Sequence, residues 1–130
     1  KEETDIEILS NGSPTRTFCY VADAVAGYLK ILLHGSYDHF NIGIEGPEIT
    51  INQLAEIYVK KGQEIFGYRG KVAFCISDDK DYLIDNPQRR CPSIAKARKL
   101  LGYAPEIEIE EGVERYLRFI AESPESEYKW

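Results

Sequence analysis

Between Val21 and Leu32 apolar side chains return at helical spacing (Val21, Ala24, Val25, Tyr28, Leu29, Leu32), and Gly35 stands where a left-handed residue would close the helix. On either side the period changes. Ile6 and Ile8 alternate with acids in Asp5-Ile-Glu-Ile-Leu9, a half-buried strand ended by the turn residues Ser10-Asn-Gly-Ser-Pro14, and Val72, Phe74 and Ile76 alternate in a second strand. A chain that switches between repeats of 3.6 and 2 residues, with β segments this short, is confined to a mixed α/β fold. Its 130 residues supply one domain, with residues 123–130 as a frayed tail.

The remaining elements follow from the same reasoning. Phe40-Asn-Ile-Gly-Ile44 reads as a short buried strand, and Thr50 with Gln53 makes a capping box for a helix expected to run to Lys61 and end at Gly62. Residues 77–90 are polar and Asp-rich, keep neither period, and read as a long loop of the kind that tends to carry function. Ser93 is placed to cap a short helix with Ile94, Ala97 and Leu101 inward and Gly102 at its end. Glu106-Ile-Glu-Ile109 reads as extended, and Val113, Tyr116, Leu117 and Ile120 line a last amphipathic helix with Glu110, Glu111 and Glu114 at its positive end. The expected architecture is therefore short strands with about four amphipathic helices.

Composition removes several classes of function. Sixteen Lys plus Arg against 22 Asp plus Glu leave a formal charge of −6, which does not favour nucleic acid or an anionic membrane. No apolar run approaches the roughly 18–20 residues of a spanning helix. Cys19, Cys75 and Cys91 are widely spaced and give neither Cys-x-x-Cys nor a disulfide framework, which fits a reducing, cytoplasmic setting. Methionine is absent, position 1 included, and the charged opening Lys1-Glu-Glu-Thr-Asp5 fits a piece of a longer protein. His34 and His39 are the only histidines and no metal-ligand spacing occurs. Neither a Gly-x-Ser-x-Gly elbow nor a Gly-rich dinucleotide turn is present, so no nucleophile, metal site or cofactor cradle is expected within this chain.

Two arginine sites remain. Arg16 follows the turn at 11–14 and precedes the apolar Phe18-Cys-Tyr-Val21, while Arg89 and Arg90 end the long loop. Guanidinium forks match phosphate oxygens bidentately and keep their charge, so two such sites flanking one pocket would suit a pyrophosphate. Spacing alone favours the plainer reading of solvated loop arginines paired with some of the many acids.

The motifs taken together shift that balance. Gly12-Ser-Pro-Thr-Arg-Thr-Phe-Cys-Tyr-Val-Ala-Asp23, Phe40-Asn-Ile-Gly43, Ile49-Thr-Ile-Asn-Gln-Leu-Ala-Glu56, Asp85-Asn-Pro-Gln-Arg-Arg-Cys-Pro-Ser-Ile94 and Leu101-Gly-Tyr-Ala-Pro105 occur in series. In that order they resemble the C-terminal half of the extended short-chain dehydrogenase/reductase family, the nucleotide-sugar epimerases, 4,6-dehydratases and UDP-glucuronate decarboxylases. The resemblance covers essentially the whole chain and implies the C-terminal part of an extended Rossmann-type fold without its N-terminal dinucleotide-binding core. It implies that Arg16 and Arg89 hold the pyrophosphate of a UDP-, dTDP- or GDP-linked sugar, with Arg90 beside them. It also implies that the strand Glu7, Ile8 and Leu9 packs near the base, and that Asp23 is structural.

What the resemblance leaves out is equally specific. The family's catalytic Tyr-x-x-x-Lys pair has no counterpart, since none of the nine tyrosines has a lysine four residues later. The expected role is to bind and orient the nucleoside diphosphate, with no catalytic residue and no cofactor of its own, while NAD serves the full-length parent. The alternative is a free-standing interaction or regulatory module derived from that family. On the first reading, a face at Val25, Leu29 and Leu32 left exposed without the N-terminal half would lead the chain to self-associate, to take up that half as a separate polypeptide, or to rearrange and bury it, whereas a monomer would favour the module.

Overall fold

The stripe beginning at Val21 forms a 14-residue helix, α1 (Val21–His34), closed by Gly35 at φ 70°. The computed structural model describes residues 4–75 and 86–123. In chain order the elements are β1 (Ile6–Ile8), β2 (Thr15–Arg16), α1, β3 (Ile49–Thr50), α2 (Ile51–Phe66), β4 (Val72–Phe74), β5 (Arg89–Arg90), α3 (Ala95–Leu101) and α4 (Ile109–Glu122). Short strands and four helices among the described residues make the chain mixed α/β, as its two interleaved periods require. β1 and β4 pair in parallel with Ile6 opposite Val72 and Ile8 opposite Phe74. A second, three-stranded ladder runs β3-β2-β5.

The turn that joins β1 to β2 is built from its own side chains. Ser10 Oγ accepts the Gly12 N–H at 3.1 Å and Asn11 Oδ1 accepts the Ser13 N–H at 3.0 Å. Gly12 sits at φ 70°, and a Cβ there would lie 3.0 Å from the Phe74 ring, so both conformation and space call for glycine. The first turn of α2 is tied to this loop through Ile51 N–H to Pro14 O at 3.0 Å and Asn52 N–H to Gly12 O at 3.1 Å.

The capping box of α2 forms as expected. Thr50 Oγ1 accepts from the Gln53 N–H at 3.1 Å and Gln53 Oε1 accepts from the Thr50 N–H at 2.8 Å. The helix does not end at Gly62, however. It continues to Phe66 and closes on Gly67 at φ 69°. Gly62 is buried inside it because a Cβ would press to 3.3 Å from Tyr68.

Ile94, Ala97 and Tyr103 form the fully buried centre, with Phe40, Ile42 and Leu101 packed around them. Tyr103 donates to Gly43 O at 2.9 Å, which satisfies its hydroxyl within the core. α1 meets this cluster at its buried Gly27, where a Cβ would fall 2.7 Å from Ile42 and 3.0 Å from the Tyr103 ring. The helix therefore approaches backbone-first, and its large side chains turn outward, with Leu32 76% and Leu33 84% exposed.

Other departures have reasons that lie far off in the sequence. Residues 40–44 join no ladder among the described residues and are held instead by Tyr103 on Gly43 and by Asn41 Nδ2 donating to Ser93 O at 3.1 Å. Ser93 does not cap α3. The carboxylate of Glu45, 49 residues away, accepts the Ile94 N–H at 3.0 Å and pairs with Arg98 at 2.9 Å. The segment read as extended at 106–109 keeps Glu108 extended, with Asp23 Oδ2 taking the amides of Glu106 and Ile107 at 3.2 and 2.9 Å, but Ile109 already opens α4. The loop expected at 77–90 ends in a strand at Arg89–Arg90, while Ile76, residues 77–85 and the tail at 124–130 lie outside the described residues.

Ion pairs stitch the outer surfaces. Lys61 Nζ lies 2.9 Å from Glu114 and 3.3 Å from Glu64, joining α2 to α4. The carboxyls of Asp38, Glu45, Glu48 and Glu114 are all held below the usual carboxylate range, chiefly by hydrogen bonds from Lys96, the Ile94 amide, Arg89 and Lys61 respectively. A group whose folded pKa is depressed stabilises the fold above its unfolded value and loses that stabilisation as pH falls through the folded one. With ordinary values of 3.8 for Asp and 4.5 for Glu, the urea midpoint should stay level near neutrality and decline below about pH 4.5. A midpoint unchanged down to about pH 3 would contradict this assignment.

Candidate functional site

β2 owes its place to the turn before it and to pairing on both edges. It runs antiparallel to β3, with Thr15 opposite Thr50, and parallel to β5, with Thr15 opposite Arg89 and Arg16 opposite Arg90. Residues directly paired across a ladder project from the same face. Arg16 and Arg90 therefore share one face, while Thr15, Thr50 and Arg89 share the other. The resemblance implies Arg89 beside Arg16, whereas the register sets Arg90 across from it.

Side-chain partners agree with that division. On the Thr15 face, Glu48 receives Thr15 Oγ1 at 3.1 Å and the Arg89 fork through Nε at 3.0 Å and Nη2 at 2.8 Å. Arg89 is thus the plainer case anticipated from spacing, an exposed arginine bound to an acid. On the Arg16 face, Nη1 donates to Thr15 O at 2.7 Å and Nη2 to Asn86 Oδ1. The guanidinium is half-buried and oriented by two neutral oxygens. Asn86 was not foreseen, although an amide three residues ahead of the arginine pair is a signal the sequence does contain.

β1 and the residue that follows it carry the other expected residues. Ile8 is buried against the parallel partner strand, while Glu7 and Leu9 are exposed, so the segment offers alternating faces beside the turn that leads to Arg16. A separate cleft of about 340 Å³ opens between α2, α4 and the 18–21 segment, lined by Phe18, Tyr20, Leu54, Tyr58, Val113 and Tyr116 among others. Burial pushes the Tyr58 phenol upward there, with Tyr116 adding to it. Its walls are apolar, and none of the three arginines lines it. Cys19, Cys75 and Cys91 are half-buried free thiols, and no metal-ligand cluster occurs among the described residues.

The helix N-termini bear on cofactor binding. The α2 terminus is filled by its capping box and that of α3 by Glu45, while α1 carries Asp23 and α4 carries Glu110 and Glu111 in the first turn. A dinucleotide pyrophosphate needs an open helix terminus behind a glycine turn. Among the described residues, none of the four termini follows a glycine-rich turn.

The sequence profile described as GDP-mannose 4,6 dehydratase matches residues 1–116. The chain belongs to that family. UDP-glucuronate 4-epimerase of Thermodesulfobacterium geofontis is 32% identical over 124 residues, 95% of this chain and 36% of the relative. Among solved structures, the epimerase Mth375 of Methanothermobacter thermautotrophicus aligns with a TM-score of 0.76 at 29% identity, over 92% of this chain and 34% of that one. UDP-glucuronic acid 4-epimerase of Bacillus cereus, solved with UDP-glucuronic acid and NAD, shares the fold with a TM-score of 0.66 at 22% identity, over 91% and 36% of the two chains. The resemblance carried by the five serial motifs is borne out: the chain belongs with the extended short-chain dehydrogenase/reductases of the nucleotide-sugar epimerase and dehydratase group, and its mixed α/β fold matches part of their Rossmann-type structures. The chain spans about a third of the length of the relatives it matches. No helix among the described residues is long and apolar enough to cross a membrane.

Proposed function

We propose that this chain binds and orients the nucleoside-diphosphate part of a nucleotide sugar, as one portion of an NAD-dependent epimerase, dehydratase or decarboxylase. The observation that carries the reading is the β2–β5 register, which sets Arg16 and Arg90 side by side on one face. Two guanidinium groups at neighbouring ladder positions offer forks to successive phosphates, a geometry that a single lysine charge could not reproduce. Arg89 contributes through the scaffold, since its fork is engaged by Glu48 on the opposite face. Glu7, Ile8 and Leu9 stand one turn away from Arg16 and are assigned to the side of the base.

In such an enzyme this chain supplies affinity and placement. Energy gained on the diphosphate, remote from the reacting carbon, positions the sugar. Bound NAD would supply reversible hydride transfer, and this reading assigns its site to the rest of the fold. The isolated chain should accordingly show no saturable calorimetric signal with NAD.

Titration of UDP tests the site itself. Arg16→Ala and Arg90→Ala should each weaken binding about tenfold to a hundredfold, the loss of a charge-assisted hydrogen bond worth about 1.5–3 kcal/mol. Lysine at either position should restore only part of it. Equal affinity in the wild type and both alanine variants would return the arginines to ordinary surface roles.

A further inference from the structure

We infer that Asn86 is a positioning residue, holding Arg16 in its anion-binding pose while leaving its charge uncancelled. The inference rests on the reading of the Arg16–Arg90 face given above. Two arginines flank Thr15, one in its own strand and one across the ladder, and the chain gives them chemically different partners. Arg89 meets a carboxylate through two nitrogens, so its positive charge is opposed by a full negative one. Arg16 meets, among the described residues, an amide oxygen and a peptide oxygen. Both fix the plane of the guanidinium, and neither brings a net charge.

The difference matters because the whole chain carries a formal charge of −6. An arginine neutralised by its own scaffold adds little attraction for a phosphate in that field, whereas one held by neutral acceptors keeps its attraction and has less side-chain freedom to lose on binding. Position along the chain reinforces the point. Asn86 lies four residues before Arg90, so the segment entering β5 presents one arginine of the pair and clamps the other. Docking of that segment onto β2 would assemble both arginines in one step.

Calorimetric titration of inorganic pyrophosphate into the full chain provides the test. Asn86→Asp keeps the size and the acceptor but adds a charge, and affinity should fall about tenfold, toward that of Arg16→Ala. Asn86→Ser, which keeps a neutral oxygen, should stay within about threefold of the wild type. Thermal melting of each variant, expected within a few degrees of wild type, confirms that the fold is retained. A purely structural hydrogen bond would give the opposite ranking, with Asp binding as tightly as Asn and Ser impaired, and that result overturns the inference. If Arg16→Ala binds pyrophosphate as well as the wild type, or the wild type binds none, the anion-site reading fails and the inference falls with it. If Arg16→Ala weakens binding while Asn86→Asp does not, only the inference falls.

Discussion

Tyr103→Ala should lower the free energy of unfolding by about 3–5 kcal/mol, the range found when a large buried aromatic ring is cut back and the site does not collapse. Tyr103 is 1% exposed and stands at the centre of the buried cluster with Ile94 and Ala97, so its ring has nowhere to be replaced from. It also joins three parts of the chain. Its ring backs onto Gly27 of α1, and its hydroxyl donates to Gly43 and contacts Cys19 Sγ at 3.6 Å. Tyr103→Phe removes only the hydroxyl and should cost about 0.5–1.5 kcal/mol, which separates packing from hydrogen bonding. Against a total stability of about 5–15 kcal/mol, that loss takes from about a fifth to all of what holds the fold together. Urea unfolding followed by circular dichroism measures both; a change below about 1 kcal/mol for Tyr103→Ala would show that the cluster is not the core.

The helices were legible because each declares itself within a few residues. The stripe from Val21, the Thr50–Gln53 box and the acidic start of α4 are local patterns, and α1 and α3 close on the left-handed glycines Gly35 and Gly102 where the sequence placed them. What escaped were the interactions made across long sequence separations. Glu45 reaches α3 from 49 residues away, and a serine in a good capping position loses to it. Gly62 resembles a helix stop until Tyr68 is seen packed on it. The arginine site shows the same limit. Strands of two residues have no period to read, and a shift of one residue in register exchanges faces, so Arg89 and Arg90 could be told apart only once β5 was set against β2.

The face of α1 poses the other large test. Its stripe has the right period, yet the side that meets the core is the narrow one at Gly27, and Val21, Val25, Tyr28, Leu29, Leu32 and Leu33 are all exposed. An apolar stripe of that length is uncommon on the surface of a monomer and marks a contact site. At rising concentration the isolated chain should self-associate through α1, and light scattering should report a mass that climbs with concentration. Leu29→Glu and Leu32→Glu should abolish the rise, because each buried leucine contributes about 1.5–3 kcal/mol to the contact and a buried, unpaired carboxylate opposes it. The urea midpoint at low concentration should barely move, since neither leucine is in the core. A constant monomer mass in the wild type, unaltered by either substitution, would mean that the stripe tolerates water, and the apolar surface of α1 would then have no bearing on association.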